Sequence, residues 1–457
     1  MRTPGPRAIR IAGVVLALAA ALAAAQIAFG AQLGRPTALL VLPAAGAALL
    51  LAALRLAPAR RVQVAAAALV GLLGAYGVEY ALGRSQPRDG TLAVRRGLPF
   101  DTRTRWDVIH DERRAGKDAY PTMEPRLRLD PEATTLPLGG IAGRTTVSCN
   151  EGGSYAIYQS DEHGFNNPRG LWGRGAAQIG IVGEAFAQGA CVAAGAGAAD
   201  RIRARYPATL NLGMSGNGPL LELAGIVEHL AQERPRVVLW LYYDHDLGTL
   251  GAEKAIPLLR AYAEGGPPHG LAATQDAIDR DLVARADRAE ASAALWPARL
   301  ASMGLTRRST PMWLQDLVMG EQHGSGSVVR LDRLNGFAAA HLPRPAAAGG
   351  GGGGRPDLPL FKTILARAQA TVSAWGGTLY FVYLADLHNL RGPEHPGRRP
   401  ILAAVKELGL PLIDVHPVFA AVPDPMTLRH NTESHCNEAG YRLIADTVLA
   451  ALPALPP

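Results

Sequence analysis

The stretch Ile179-Gly-Ile-Val-Gly-Glu-Ala-Phe186 decides the fold. A short β-branched apolar run stops at Gly183, and a small-residue helix is expected from about Gly189. That pattern is a strand-to-helix elbow, which stands a side chain at the carboxyl edge of a parallel sheet. The position that such a turn presents is Ala185, flanked by Gly183 and Glu184. A methyl group neither loses a proton nor attacks a carbonyl, so the elbow has the setting of a nucleophile and no nucleophile in it.

Around the elbow, short apolar runs alternate with amphipathic ones. Strands are expected at 178–182, 209–212, 236–243, 378–384 and 410–415, and helices at 189–206, 220–233, 358–374, 401–408 and 438–452. Strands alternating with helices predict an α/β fold, a five-stranded parallel sheet covered on both faces. One long segment, 245–357, interrupts that rhythm after the third strand and ends in the glycine run Gly349–Gly354. Such a run reads as a linker, since glycine holds no single conformation cheaply. The segment ahead of it reads as a lid, a docking surface or an expanded loop. Before the sheet, residues 85–177 are rich in Pro and Arg, with irregular strands expected. The expected division is therefore 1–84, 85–177 and 178–457.

The front of the chain is different. Three apolar stretches, Ile9–Leu33, Thr37–Leu56 and Val62–Leu82, each approach the ~20 residues that cross a ~30 Å hydrocarbon core. They predict three transmembrane helices. Arg2, Arg7 and Arg10 precede the first, and Arg55, Arg60 and Arg61 separate the second from the third, against Arg35 alone between the first two. The positive-inside rule then puts the N-terminus in the cytoplasm and everything past Leu82 outside. With the Ala/Arg/Gly-rich composition suggesting a bacterium, the expected setting is the inner membrane with a periplasmic C-terminal region.

The net charge of +7 does not signal nucleic acid. Residues 1–90 hold nine Arg against Glu79 and Asp89, which accounts for all of it. The remainder is neutral, with 37 basic and 37 acidic side chains. There is no phosphate-binding Gly-x-x-x-x-Gly-Lys and no clustered ligand set, so neither cofactor nor metal is expected. Cys149, Cys191 and Cys436 are three in number, so at least one is free or pairs between chains. Cys436 reads as a small buried hydrophobe.

Four blocks in order carry a resemblance to the SGNH (GDSL-like) hydrolases. The first is the elbow, where that family writes Gly-Asp-Ser and this chain writes Gly183-Glu184-Ala185. The second, Asn211-Leu-Gly-Met-Ser-Gly-Asn-Gly-Pro219, is similar to the family's glycine-rich turn. The resemblance assigns the Gly216 backbone N–H to the oxyanion. The third, Asp244-His245-Asp246-Leu247, puts His245 where the family has an asparagine oxyanion donor. The last, His435-Cys-Asn-Glu-Ala-Gly-Tyr-Arg-Leu-Ile-Ala445, resembles the block of the general base and assigns that role to His435. The family's orienting aspartate lies two or three residues earlier, where this chain has Glu433 and Thr432.

Two further stretches fit. Asp161-Glu-His-Gly-Phe-Asn-Asn-Pro168 looks like the lead-in of membrane-anchored members associated with envelope polysaccharides, and Leu412-Ile-Asp-Val-His416 resembles their last core strand. The resemblance spans about 158–247 and 358–452 and implies a flavodoxin-like sheet, the SGNH hydrolase fold. It also implies an acylated polysaccharide as ligand. Two functions stay open. One is a non-hydrolytic or impaired relative that binds the acylated glycan. The other is an esterase or O-acyltransferase in which His435, held by Glu433, activates water, or Ser215 or Ser434 stands in for the missing serine.

Overall fold

The computed structural model describes the chain apart from residues 1–3, 33–36, 86–96, 130–131, 133–134, 174, 176, 245, 303–356, 388–389, 391–393, 431–434 and 456–457. It divides into two compact units, residues 1–87 with 288–355, and residues 88–287 with 356–457.

In the first unit, α1 (Pro6–Gln32), α2 (Thr37–Ala53) and α3 (Pro58–Ser85) pack through Ala12, Leu16, Ala53 and Ala65. Ile11, Val14, Leu18, Leu49, Val70 and Leu73 remain exposed. Pro6–Ala24 and Pro58–Val78 are long and apolar enough to cross a membrane. The middle helix has 17 residues, short of the span expected from its sequence, because it ends at Ala53. Two such helices are thus found among the described residues, where the sequence suggests three.

The second unit begins with α4 (Arg105–Arg114), opened by a Thr104–Asp107 capping box. A small sheet follows: β1 (Ala119–Pro121) pairs in parallel with β2 (Thr145–Val147), which pairs antiparallel with β3 (Ile157–Gln159).

The main sheet comes next. In chain order its elements are β4 (Ile179–Gly183), α5 (Ala185–Gln188), α6 (Ala198–Arg205), β5 (Thr209–Asn211), α7 (Pro219–Gly225) and β6 (Val237–Tyr243). Then come α8 (Leu250–Glu253), α9 (Pro257–Ala263), α10 (Gln275–Ser302), α11 (Leu358–Ala374) and β7 (Thr378–Leu384). Last are α12 (Arg398–Glu407), β8 (Leu412–Asp414), α13 (His416–Ala420) and α14 (Glu438–Ala451). The five strands are all parallel, in the order β5-β4-β6-β7-β8. Numbered along the chain that is 2-1-3-4-5, the flavodoxin-like winding.

Alternation along β6 builds two cores. Val238, Trp240 and Tyr242 pack on one side with Phe361, Phe381 and the helices α7, α9, α11 and α12. Val237, Leu239, Leu241 and Tyr243 pack on the other with Ile202, Tyr441 and Ile444 of α6 and α14. All seven β6 residues are buried, as a strand covered on both faces requires. The chain after β6 contributes Leu250, Ile256, Leu259, Tyr262 and Leu271 to the first core. That part of the long segment is packed protein rather than loop.

Where the sequence suggests one helix over 189–206, α5 ends before that range and only α6, Ala198–Arg205, lies within it. Gly189 ends α5 in the left-handed conformation, and Cys191 is left-handed as well (φ +64°), so no helix runs through to Ala198. The elbow itself turns at Gly183 (φ +152°). A Cβ there would lie 2.7 Å from the Leu241 carbonyl oxygen and 2.9 Å from Ala187 Cβ. We expect Gly183→Ala to lower stability by about 1–3 kcal/mol in urea unfolding, strain and clash together, and wild-type stability in that variant would contradict this account of the turn.

Candidate functional site

The first and third strands of the main sheet, β4 and β6, are neighbours, and the chain leaves them in opposite directions. Their carboxyl ends are where an open α/β sheet makes its crevice. The elbow sits at that point. Ala185 opens α5, is 2% exposed, and packs with Ala190 and Cys191. Phe186 turns the other way and places its ring 4.5 Å from Tyr243 and 5.8 Å from His435.

His435 is brought there by its own block. Asn437 caps α14 by accepting from the N–H groups of Ala439 and Gly440, and its amide donates to the carbonyls of Thr427 and Arg429. The His430 N–H donates to the His435 carbonyl at 3.2 Å, closing the loop. Tyr441 donates its hydroxyl proton to the Ala190 carbonyl at 3.0 Å, tying the last helix to the elbow segment. The spacing of this block is therefore a fastening for one imidazole.

A carboxylate that the sequence does not point to lies against that imidazole. His435 Nδ1 lies 2.6 Å from Glu151 Oε1. Glu151 belongs to the segment after β2, and Cys149, two residues before it, forms a disulfide with Cys191. Cys191 Sγ in turn lies 3.6 Å from His435 Nδ1. Elbow, disulfide, carboxylate and imidazole thus form one contiguous cluster. Glu433 and Ser434, expected as orienter and substitute nucleophile, lie outside the described residues, as does His245. Ser215 is described: its hydroxyl donates to Gln188 Oε1 at 2.5 Å, a bond that closes the turn after β5. Gly216 has the left-handed backbone expected of the glycine-rich turn (φ +76°), and the side chain of Arg126 lies directly over it.

Polar networks explain the remaining blocks. Asp161 accepts from the N–H groups of His163 and Phe165, from Trp172 Nε1 and from Asn167 Nδ2. Asn167 Nδ2 also donates to the Asn211 carbonyl, and Asn211 Nδ2 to the Ala187 carbonyl, both at 2.8 Å. The lead-in motif and the second block are thus one hydrogen-bonded unit beneath α5. Asp246 accepts from the Tyr243 N–H at 2.8 Å and fixes the turn after β6. Asp244 accepts from Tyr383 and from the Asp386 N–H, with the half-buried His395 Nδ1 at 3.6 Å.

Cys436 is fully buried and free of any disulfide, and burial pushes its thiol up to about 12, so it is inert as a nucleophile at neutral pH. A cavity of about 510 Å³ lies beside the cluster, and its wall includes Cys191, Tyr155, His430, Arg429, Asp424 and Glu438.

No protein-family model and no curated protein matches the chain. Among solved structures, it is similar to a lipase/acylhydrolase from Enterococcus faecalis at 12% identity and a TM-score of 0.30, covering 60% of this chain and 94% of that one. The same values hold for LAE5, an alpha/beta hydrolase enzyme from the metagenome of Lake Arreo, Spain. A likeness of that size carries no argument about the site.

Three carboxyls beneath the elbow set a pH dependence. Burial pushes Glu253 up to about 7, against the opposing N–H donors of Leu220 and Gly218. Burial, and then the carboxylates of Glu253 and Glu184, push Glu222 well above the ordinary range; burial and Glu222 do the same to Asp246. A carboxyl that ionises later in the folded chain than in the unfolded one stabilises fully below about pH 4.5, and that contribution is lost as pH rises toward its folded value. Unfolding free energy should therefore fall between about pH 5 and pH 8, and Glu222→Gln should flatten the slope. A wild-type profile rising across that window would contradict the assignment.

Proposed function

We propose that the chain is a membrane-anchored SGNH-like protein whose periplasmic cleft binds acylated envelope polysaccharide, with serine-based ester hydrolysis lost. The observation that carries the reading is the elbow. Ala185 stands where a nucleophile would, while His435 is still present and hydrogen-bonded to a carboxylate. The strand order and the order of the blocks support the hydrolase-like scaffold. The two apolar N-terminal helices and the arginine asymmetry support the anchor. The polysaccharide rests on the likeness of Asp161–Pro168 to the lead-in of polysaccharide-associated members.

A second reading, an esterase or O-acyltransferase that activates water, is favoured by the Glu151–His435 bond, which orients an imidazole as a general base needs.

One assay separates the two. Full-length protein in detergent, kept oxidised, is tested for aryl acetate hydrolysis and for binding to O-acetylated and de-O-acetylated polysaccharide. We expect acetyl-dependent binding with turnover at background. Ala185→Ser should gain turnover, and His435→Ala in that background should remove it. Glu151→Gln there should cost about 10²-fold or more, since a base without its orienting carboxylate loses geometry and tautomer. Wild-type hydrolysis that needs His435 under oxidising conditions would overturn the non-hydrolytic reading and establish the second.

A further inference from the structure

We propose that Cys191 is a latent nucleophile, masked by its disulfide to Cys149, and that a dithiol reductant converts the chain into a cysteine-dependent acyl hydrolase. The proposal rests on the scaffold reading above and supplies the group that Ala185 lacks.

Four observations converge. The Cys191 sulfur lies 3.6 Å from a ring nitrogen of His435, and Glu151 holds that ring at 2.6 Å. Cys191 belongs to the same small buried cluster as Ala185, the position to which the resemblance assigns the attacking group. The residue also lines the cavity of about 510 Å³, which gives a small acyl ester a route to it. In the same wall His430 is 8% exposed, and its Nε2 has no hydrogen-bond partner among the described residues. A buried, unmatched ring nitrogen costs free energy until a ligand polar group meets it. A hydroxyl of a polyhydroxylated alcohol is such a group. Tyr155, Asp424, Arg429 and Glu438 also line it, beside Val192 and Met426, and a wall so largely polar suits a sugar better than an apolar acyl chain. The substrate class is thus a short-chain acyl ester of a sugar.

The chemistry closes in three steps. First, one thiolate of the dithiol attacks the bridge, and the second displaces the mixed disulfide. Two electrons pass to the bridge, both cysteines end as thiols, and the reductant leaves as a disulfide. Next, the Cys191 thiol loses its proton through solvent to His435 Nε2, leaving a thiolate beside an imidazolium. The Nδ1–H, held by the Glu151 carboxylate, faces the sulfur and stabilises its charge. The thiolate attacks the ester carbonyl: a C–S bond forms, the C–O bond breaks, and the leaving alkoxide takes a proton from the imidazolium. Finally, water attacks the thioester, passing one proton to the imidazole. The C–S bond breaks, the carboxylic acid leaves, and the thiol is restored.

Cys149→Ser tests this without any reductant, because it leaves Cys191 as a free thiol. Full-length protein in detergent is assayed with p-nitrophenyl acetate, and the acylated residue is mapped by mass spectrometry of acid-quenched samples. We expect Cys149→Ser to exceed oxidised wild type by about 100-fold, the lower end of what a positioned base contributes. An acetyl group should be trapped on Cys191, and His435→Ala should abolish both signals. Wild type should gain the same activity on treatment with dithiothreitol, which keeps the test available should Cys149→Ser fold poorly. Background turnover in Cys149→Ser whose Cys191 is nevertheless alkylated by iodoacetamide would overturn the proposal. So would activity in the Cys149→Ser/Cys191→Ala double variant. Polysaccharide binding is scored separately: its loss would sink the glycan reading and leave the thioester result standing, while an inert Cys149→Ser that still binds glycan overturns this inference alone.

Discussion

Everything in the catalytic-like unit depends on β6 being buried on both faces. Seven consecutive apolar or aromatic residues, Val237–Tyr243, satisfy their backbone groups in the ladders to β4 and β7 and their side chains in two separate cores. A strand so placed admits no register slip, since one residue of shift would exchange its two side-chain sets between cores of different shape. With β6 pinned, β4 must end beside it, and the chain must turn at Gly183 where the sheet opens. The elbow's position is a consequence of hydrophobic burial, not of any chemistry performed there.

The chemical cluster is held by a different kind of bond. Glu151 reaches His435 across 284 residues of sequence, and no helix or strand connects the two. What brings them together is the Cys149–Cys191 disulfide, which fastens the segment after β2 to the segment after the elbow. A covalent link close to both groups restricts the unfolded chain and the local geometry alike. It also places a disulfide beside Ala185, so that a carboxylate, an imidazole and a structural staple share one small cluster at the elbow.

Most of the fold was legible because its signals are local. Thr378–Leu384 and Leu358–Ala374 match the residues expected, and the other core strands differ by one or two residues at their ends. The block at His435 was legible for a physical reason now visible: Asn437 caps α14, Gly440 leaves room beneath the Leu428 carbonyl and Cys436, and Tyr441 bonds back to the elbow. The miss over 189–206 came from alanine-rich composition, which favours helix on average while three left-handed residues, Gly189, Cys191 and Gly195, forbid it locally. Glu151 was not legible at all. Nothing about a carboxylate in an irregular segment announces a histidine 284 residues away; only the unassigned pairing of three cysteines hinted that this segment is tied to the elbow.

The account's central claim is that the oxidised chain keeps an esterase scaffold without a serine nucleophile. Fluorophosphonate labelling of the full-length, oxidised protein tests it most directly, because the reagent marks serines activated by a neighbouring base. The account predicts no adduct on wild type and one adduct, at residue 185, on Ala185→Ser. An adduct on Ser215 or Ser434 of the wild type, lost in His435→Ala, would contradict it.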